Sequence, residues 1–187
     1  MKYKTQSLTQ YLKDLSAKLP APGGGSAAAF TAAMGSALLS MVVNFTLGKP
    51  KYARFEKELT LILSKTEAFR KEFLELVDAD VAAYRSKNIR KALAVPLKVA
   101  RLCIRALDLC LPLAKKGNVN LVSDVAVAAD LLESAFSAAA FNVRINLKNL
   151  GDQKLTQKTR QELERMHKIA REIRKDTEER VGKVIRG

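Results

Sequence analysis

Between Lys18 and Lys49 the chain carries no charged residue, and the run opens on three consecutive glycines: PAPGGGSAAAFTAAMGSALLSMVVNFTLG, Pro20 to Gly48. Twenty or so uncharged residues are enough to cross a bilayer as a helix. The residue types argue otherwise. Ser26, Thr31, Ser36, Ser40, Asn44 and Thr46 interrupt the run, and its bulk is Ala and Gly rather than Leu and Ile. A second segment, Val122 to Leu147, repeats the Ala-rich character and holds Asp124, Asp130, Glu133 and Arg144. Two Ala-rich helices packed closely in a core account for both segments, and no membrane span is expected. A helix that is apolar all round is buried on several sides. In a chain this short, that points to an oligomer interface.

The rest of the sequence reads as helices. Leu8, Tyr11, Leu12 and Leu15 have helical spacing ahead of Pro20. The expected helices then run 26–47, 52–86, 89–116, 122–147 and 156–184, separated by GKP, a break near Lys87, GNVN and NLGD. Pro96 and Pro112 are expected to kink or shorten the 89–116 helix, the fourth of the chain. No stretch alternates as a strand does. The expectation is an all-α, single-domain bundle of about six helices over 1–187, dimerising through helices. Aromatics make up 6% of the 187 residues, so the core is filled by Ala, Leu and Val.

Net charge is +14. Such a charge attracts anions of several kinds, nucleic acid among them, and says nothing of fold. Cys103 and Cys110, seven apart on one helix, lie about 10 Å from each other along the axis. That is too far for a disulfide, so they read as reduced core residues. No secretory leader is read at Met1–Ser16, and a cytoplasmic protein is expected. With His167 the only histidine, no His/Cys metal site is expected.

Three features bear on chemistry. Gly23, Gly24, Gly25 and Ser26 open the uncharged helix, where unpaired N–H groups and close backbone approach suit an anion or a carbonyl oxygen. A plain turn with Ser26 as N-cap explains the same residues. In the third helix the seam Phe55, Leu59, Ile62, Thr66, Phe69, Phe73, Leu76, Asp80, Ala83 steps by four and three. Asp80 falls where an apolar residue belongs, with Tyr84 one turn on. An inward carboxylate has a raised pKa unless paired, which suits acid–base work; a structural ion pair is the alternative. In the fifth helix Asp124 faces the same choice against a helix-start role, and Asn142 and Asn146 are amides on a packed stripe that need partners. The fourth helix bears Lys91, Lys98, Arg101 and Arg105 in line with Lys87. This is either a solvated face or a track for carboxylates and phosphates.

PAPGGGSAAAFTAAMGSALLSMVVNFTLGKPKY, LVDADVAAY and KKGNVNLVSDVAVAADLLESAFSAAAFNVRINL, at the spacing found here, together resemble the cyclodeaminase/cyclohydrolase family. That family includes the C-terminal domain of formiminotransferase-cyclodeaminase and stand-alone methenyltetrahydrofolate cyclohydrolases. The resemblance implies an all-helical, dimeric enzyme with sites near the subunit interface. It implies action on the one-carbon unit between N5 and N10 of tetrahydrofolate, by ammonia release or by water addition, with no metal and no cofactor beyond the folate substrate. On this reading Asp80 or Asp124 handles protons, and Asn118, Asn142 and Asn146 hold the pterin edge. The GGGS start binds a carboxylate or carbonyl. Charge spacing, not the family motif, assigns the glutamate tail to the stripe with Lys98 and Arg101. The alternative is a non-catalytic helical dimer that binds nucleic acid through its basic face. The absence of a nucleic-acid motif and the scarcity of aromatics argue against it.

Overall fold

The computed structural model describes residues 2–187. Among them are seven α-helices and no strand: α1 Leu8–Ser16, α2 Gly24–Asn44, α3 Glu56–Arg85, α4 Ile89–Leu107, α5 Cys110–Lys116, α6 Val122–Leu150 and α7 Gln153–Arg186. Short 3-10 turns lie at Tyr3–Thr5, Pro50–Phe55 and Val119–Leu121. The all-α expectation is borne out.

The helix count rises by one because the expected fourth helix is two. It breaks at Asp108 and Leu109. Pro112 is the cause. In an unbroken helix its ring would clash with the carbonyl of Asp108, whereas in the first turn of α5 its missing N–H costs nothing. Pro96 is tolerated inside α4. It leaves the carbonyl of Ala92 without its helical donor, and Asn146 of α6 supplies one, its Nδ2 lying 2.7 Å from that oxygen. The start of α2 also differs from expectation: Gly24 and Gly25 are its first residues, and Gly23 is the N-cap.

Helix α2 is the axis of the molecule, packed along α3 on one side and antiparallel to α6 on the other. It is long and apolar enough to cross a membrane, yet most of it is enclosed by the bundle. Small residues make that enclosure close. Ala28, Ala29, Ala32 and Ala33 of α2 and Ala128, Ala129, Ala135, Ala139 and Ala140 of α6 are all buried. A methyl group at Gly35 would meet Leu132 Cγ at 2.9 Å and the carbonyl of Ala128 at 3.1 Å. Two hydroxyls of the run are used inside the fold, Ser40 donating to Thr66 Oγ1 at 2.9 Å and Thr46 to the carbonyl of Val42 at 2.6 Å, whereas that of Ser36 is buried without a partner. Cys103 and Cys110 are unpaired and wholly buried, and burial pushes both thiols far up.

One face of this α2/α6 pair is left uncovered. Thr31, Met34, Leu38, Met41 and Phe45 step by three and four along α2, with Met34 and Phe45 exposed. Val127, Leu131, Ser134, Ala138, Phe141 and Ile145 do the same along α6, with Val127, Phe141 and Ile145 exposed. At the other flank the N-terminal segment is tied to α3. The N–H of Tyr3 donates to Asp78 Oδ1 at 2.5 Å and Lys4 pairs with Glu75 at 2.5 Å. Asp78 thus turns away from the side Asp80 serves.

Candidate active site

Asp80 and the glycines, 55 positions apart in sequence, meet. The last third of α3 passes beneath the start of α2, whose N-cap Gly23 supplies no side-chain acceptor for the first N–H groups. The Asp80 carboxylate takes that place, accepting a hydrogen bond from the Ser26 N–H. It lies so close to Gly25 that a methyl group there would overlap it. Burial raises Asp80 from the ordinary 3.8 to about 6, and the Ser26 N–H offsets part of that rise. The expectation that the GGGS start binds a carboxylate is therefore corrected in one respect: the carboxylate held there belongs to the protein.

Ser26 is not free for a ligand either. Its Oγ lies 3.2 Å from the hydroxyl of Tyr11, a buried ring set edge-on to Tyr3 and against Phe30. Burial raises the Tyr11 phenol, the Ser26 contact lowers it, and the Asp80 charge raises it again. Sequence reasoning used Tyr11 only as an apolar position of the first helix. Its hydroxyl on an otherwise apolar stripe was the available signal.

Around Asp80 is a cleft of about 340 Å3. Asn142 and Asn146 of α6 form one wall, Tyr84 another, and the backbone of Gly23 and Gly24 the rim. Each amide is anchored through its nitrogen, Asn142 to the carbonyl of Ala138 at 3.0 Å and Asn146 to that of Ala92 at 2.7 Å. The hydrogen bonds among the described residues leave both amide oxygens unused. Tyr84 is largely exposed and presents its ring to the cleft. A second lobe of about 590 Å3 shares Pro20, Tyr84, Ala92, Asn146 and Asn149 with the first and opens toward Arg85, Lys87 and Asn88. Lys87 has φ 54°, in the left-handed region, an uncommon conformation for a residue with a side chain.

Four of the expected site residues lie elsewhere in the chain. Lys98 pairs with Glu72 at 2.7 Å, and Arg101 grips both oxygens of Glu162 at 2.7 and 3.0 Å. Arg105 stacks over the ring of Phe69. The basic stripe is thus a seam that ties α4 to α3 and α7, with Lys98 and Arg101 already neutralised. Asn118 is buried at the far end of α2 and closes a turn. Its N–H donates to Thr46 Oγ1 at 2.9 Å, its Nδ2 to the carbonyl of Phe45 at 3.3 Å, and its Oδ1 accepts from the Asn120 N–H at 3.2 Å. Asp124 stands in the first turn of α6. Eighteen positions separate it from Asn142, about 27 Å along the helix. His167 lies edge-on to Phe136, and among the described residues no group of His, Cys, Asp and Glu has the geometry of a metal site.

Known proteins resemble this arrangement over most of its length. Residues 7–88 and 85–165 match the formiminotransferase-cyclodeaminase family model. The methenyltetrahydrofolate cyclohydrolase of Methylorubrum extorquens is 35% identical over 85% of this chain and 88% of its own. The formimidoyltransferase-cyclodeaminase of Rattus norvegicus is 33% identical over 82% of this chain, which spans only 33% of that longer protein. The crystal structure of a formiminotetrahydrofolate cyclodeaminase from Thermotoga maritima superposes with a TM-score of 0.92 at 28% identity, covering 97% of this chain and 98% of the other.

Proposed function

Because the chain belongs to the formiminotransferase-cyclodeaminase family, we propose that it acts on the one-carbon bridge between N5 and N10 of tetrahydrofolate. It either adds water to 5,10-methenyltetrahydrofolate or closes 5-formiminotetrahydrofolate with loss of ammonia. The observation that carries this reading is the Asp80 carboxylate, raised to about 6 and facing the cleft from the start of α2. A carboxylate of that basicity is mostly ionised at neutral pH and still within easy reach of its acid form.

In the hydrolytic direction a water attacks the cationic methenyl carbon. As the C–O bond forms, Asp80 takes one of its protons. The tetrahedral adduct then collapses: the bond to N5 breaks, N5 takes the hydroxyl proton, and the formyl group stays on N10. One proton leaves to solvent. In the deaminating direction N10 attacks the formimino carbon and loses its proton, the amino group gains protons with Asp80 as acid, and ammonia departs. Asp80 is left ionised beside the cationic product. In both directions it stabilises positive charge at the reacting carbon. The free amide oxygens of Asn142 and Asn146 suit the pterin's donors, and the Tyr84 ring suits its face. Arg85 and Lys87, at the wider lobe, replace Lys98 and Arg101 as candidates for the glutamate carboxylates. Neither reaction calls for a metal or a redox cofactor. Two unpaired cysteines fit a reducing cytoplasm.

The uncovered α2/α6 face supports a homodimer. Its two stripes are centred near Met34–Leu38 and Ser134–Ala138. A two-fold axis crossing the helices there would bring the partner subunit's Asp124 to the Asn142 and Asn146 end. Asp124 enters the reading only by that route. Nucleic-acid binding through the basic stripe is not favoured, since Lys98 and Arg101 are spent on Glu72 and Glu162.

The test is turnover by purified protein. Loss of the near-ultraviolet absorbance of methenyltetrahydrofolate reports the hydrolytic branch, and ammonia release from formiminotetrahydrofolate the other. Activity in one of them is expected. A folded protein inactive in both overturns the proposal.

A further inference from the structure

At the other end of α2 from Asp80, about 30 Å away along the 21-residue helix, lies a second polar cavity of about 240 Å3. Lys51, Arg54, Lys115 and Arg180 line it, and no carboxylate does. Among the described residues none of these four cations is in an ion pair, although seven other Lys and Arg side chains are. The neighbouring Lys116, for instance, is held by Glu58 at 2.5 Å. Lys115 alone has an ordinary explanation at the C-terminal end of α5, where the helix dipole favours a cation. Lys51 and Arg54 are exposed to solvent. Arg180 is the most telling, because its Nε is buried and has no hydrogen-bond partner. A buried charged donor left unpaired is costly, and an acceptor from outside the chain would remove that cost.

The cavity is also braced. The N–H of Val119 donates to the Tyr52 hydroxyl at 3.1 Å, which fixes the Pro50–Phe55 turn to the loop after α5. Its two aromatic rings are engaged by cations of the same cluster, Arg54 over Phe55 at 4.6 Å and Lys51 over Tyr52 at 5.7 Å. Cations thus already compete for both rings, and the volume is small for a nucleobase. We infer that this pocket is a binding site for a small polyanion, a ligand that presents several negative oxygens at once, as a diphosphate or a tricarboxylate does.

Thermal unfolding and calorimetric titration of the full chain with pyrophosphate and with citrate, each against sodium chloride at matched ionic strength, test this. At tenfold excess over Kd a rise in Tm of roughly 3–5 °C is expected with at least one of the two. Which one responds separates a phosphoryl from a carboxylate ligand. Arg180→Gln should weaken binding tenfold or more. So should the exposed pair Lys51→Ala with Arg54→Ala, which keeps the test informative if Arg180→Gln misfolds. Lys168→Ala, on the exposed side of α7, should leave binding unchanged. No response to either anion, or equal responses in wild type and pocket variants, overturns the inference. The readout is binding, so failure of folate turnover would not bear on it.

Discussion

Asp80 was visible in the sequence as a break in an apolar seam. Its partner was not. Nothing in local spacing links residue 80 to residue 25, and only the crossing of α3 under α2 brings the carboxylate onto the glycine. The contact makes a sharp prediction. In Gly25→Ala the new methyl meets the far end of one side chain, so the fold should survive while the carboxylate is pushed from its hydrogen bond. We expect a loss of kcat on the order of 10²-fold, as in Asp80→Asn, with Tm within a few degrees of wild type. The two variants should part company in pH dependence. A carboxyl raised to about 6 in the folded chain takes up a proton on folding between about pH 6 and 4. Its ionised form therefore costs stability above about pH 6, and stability returns as pH falls toward 4. Asp80→Asn removes that cost and should be more stable than wild type at pH 8, by at most about 3 kcal/mol, with the gap closing by pH 4.5. Equal stability of the two proteins at both pH values would mean that Asp80 carries no such burden. In the hydrolytic branch, kcat should fall as pH drops through about 6.

At the scale of elements, the helical period placed most of the secondary structure, and the Ala-rich runs marked α2 and α6 as a closely packed pair. Helix ends were less legible. Whether Pro112 kinks a helix or starts one depends on where the preceding turn stops, and that is set by packing. The orphaned carbonyl that Pro96 creates could be foretold, but not that Asn146 would fill it from another helix. The basic stripe misled because its spacing was real while its counter-charges, Glu72 and Glu162, lie on other helices. The tightness of the α2/α6 contact is testable at Gly35. Gly35→Val would drive carbon atoms into Leu132 and a backbone oxygen that cannot turn aside. A loss of about 2 kcal/mol, or a Tm roughly 5 °C lower, is expected by thermal denaturation. Wild-type stability in this variant would show that the helices can separate without loss.

At the scale of the whole molecule, the sequence marked α2 for an interface but did not say which of its faces stays bare. Phe141→Asp, on the exposed stripe, should yield a folded monomer in light-scattering measurements, against the dimer proposed for wild type. Complementation gives a stricter check on the two carboxylates. If Asp80 of one subunit works with the partner subunit's Asp124, then Asp80→Asn and Asp124→Asn are each inactive as pure dimers. Unfolded together and refolded as a mixture, they should recover up to about a quarter of wild-type activity, since half of the dimers are mixed and each mixed dimer keeps one intact site. A mixture as dead as its parents would confine the chemistry to one chain. The two cysteines give the molecule a clock of its own. Cys103 and Cys110 are sealed in the core as thiols that will not ionise there, so an alkylating reagent can reach them only when the bundle opens. Timed exposure to such a reagent, read as added mass, would count opening events directly. The count should slow with any ligand that holds the helices together, whether it sits at the Asp80 cleft or at the basic pocket.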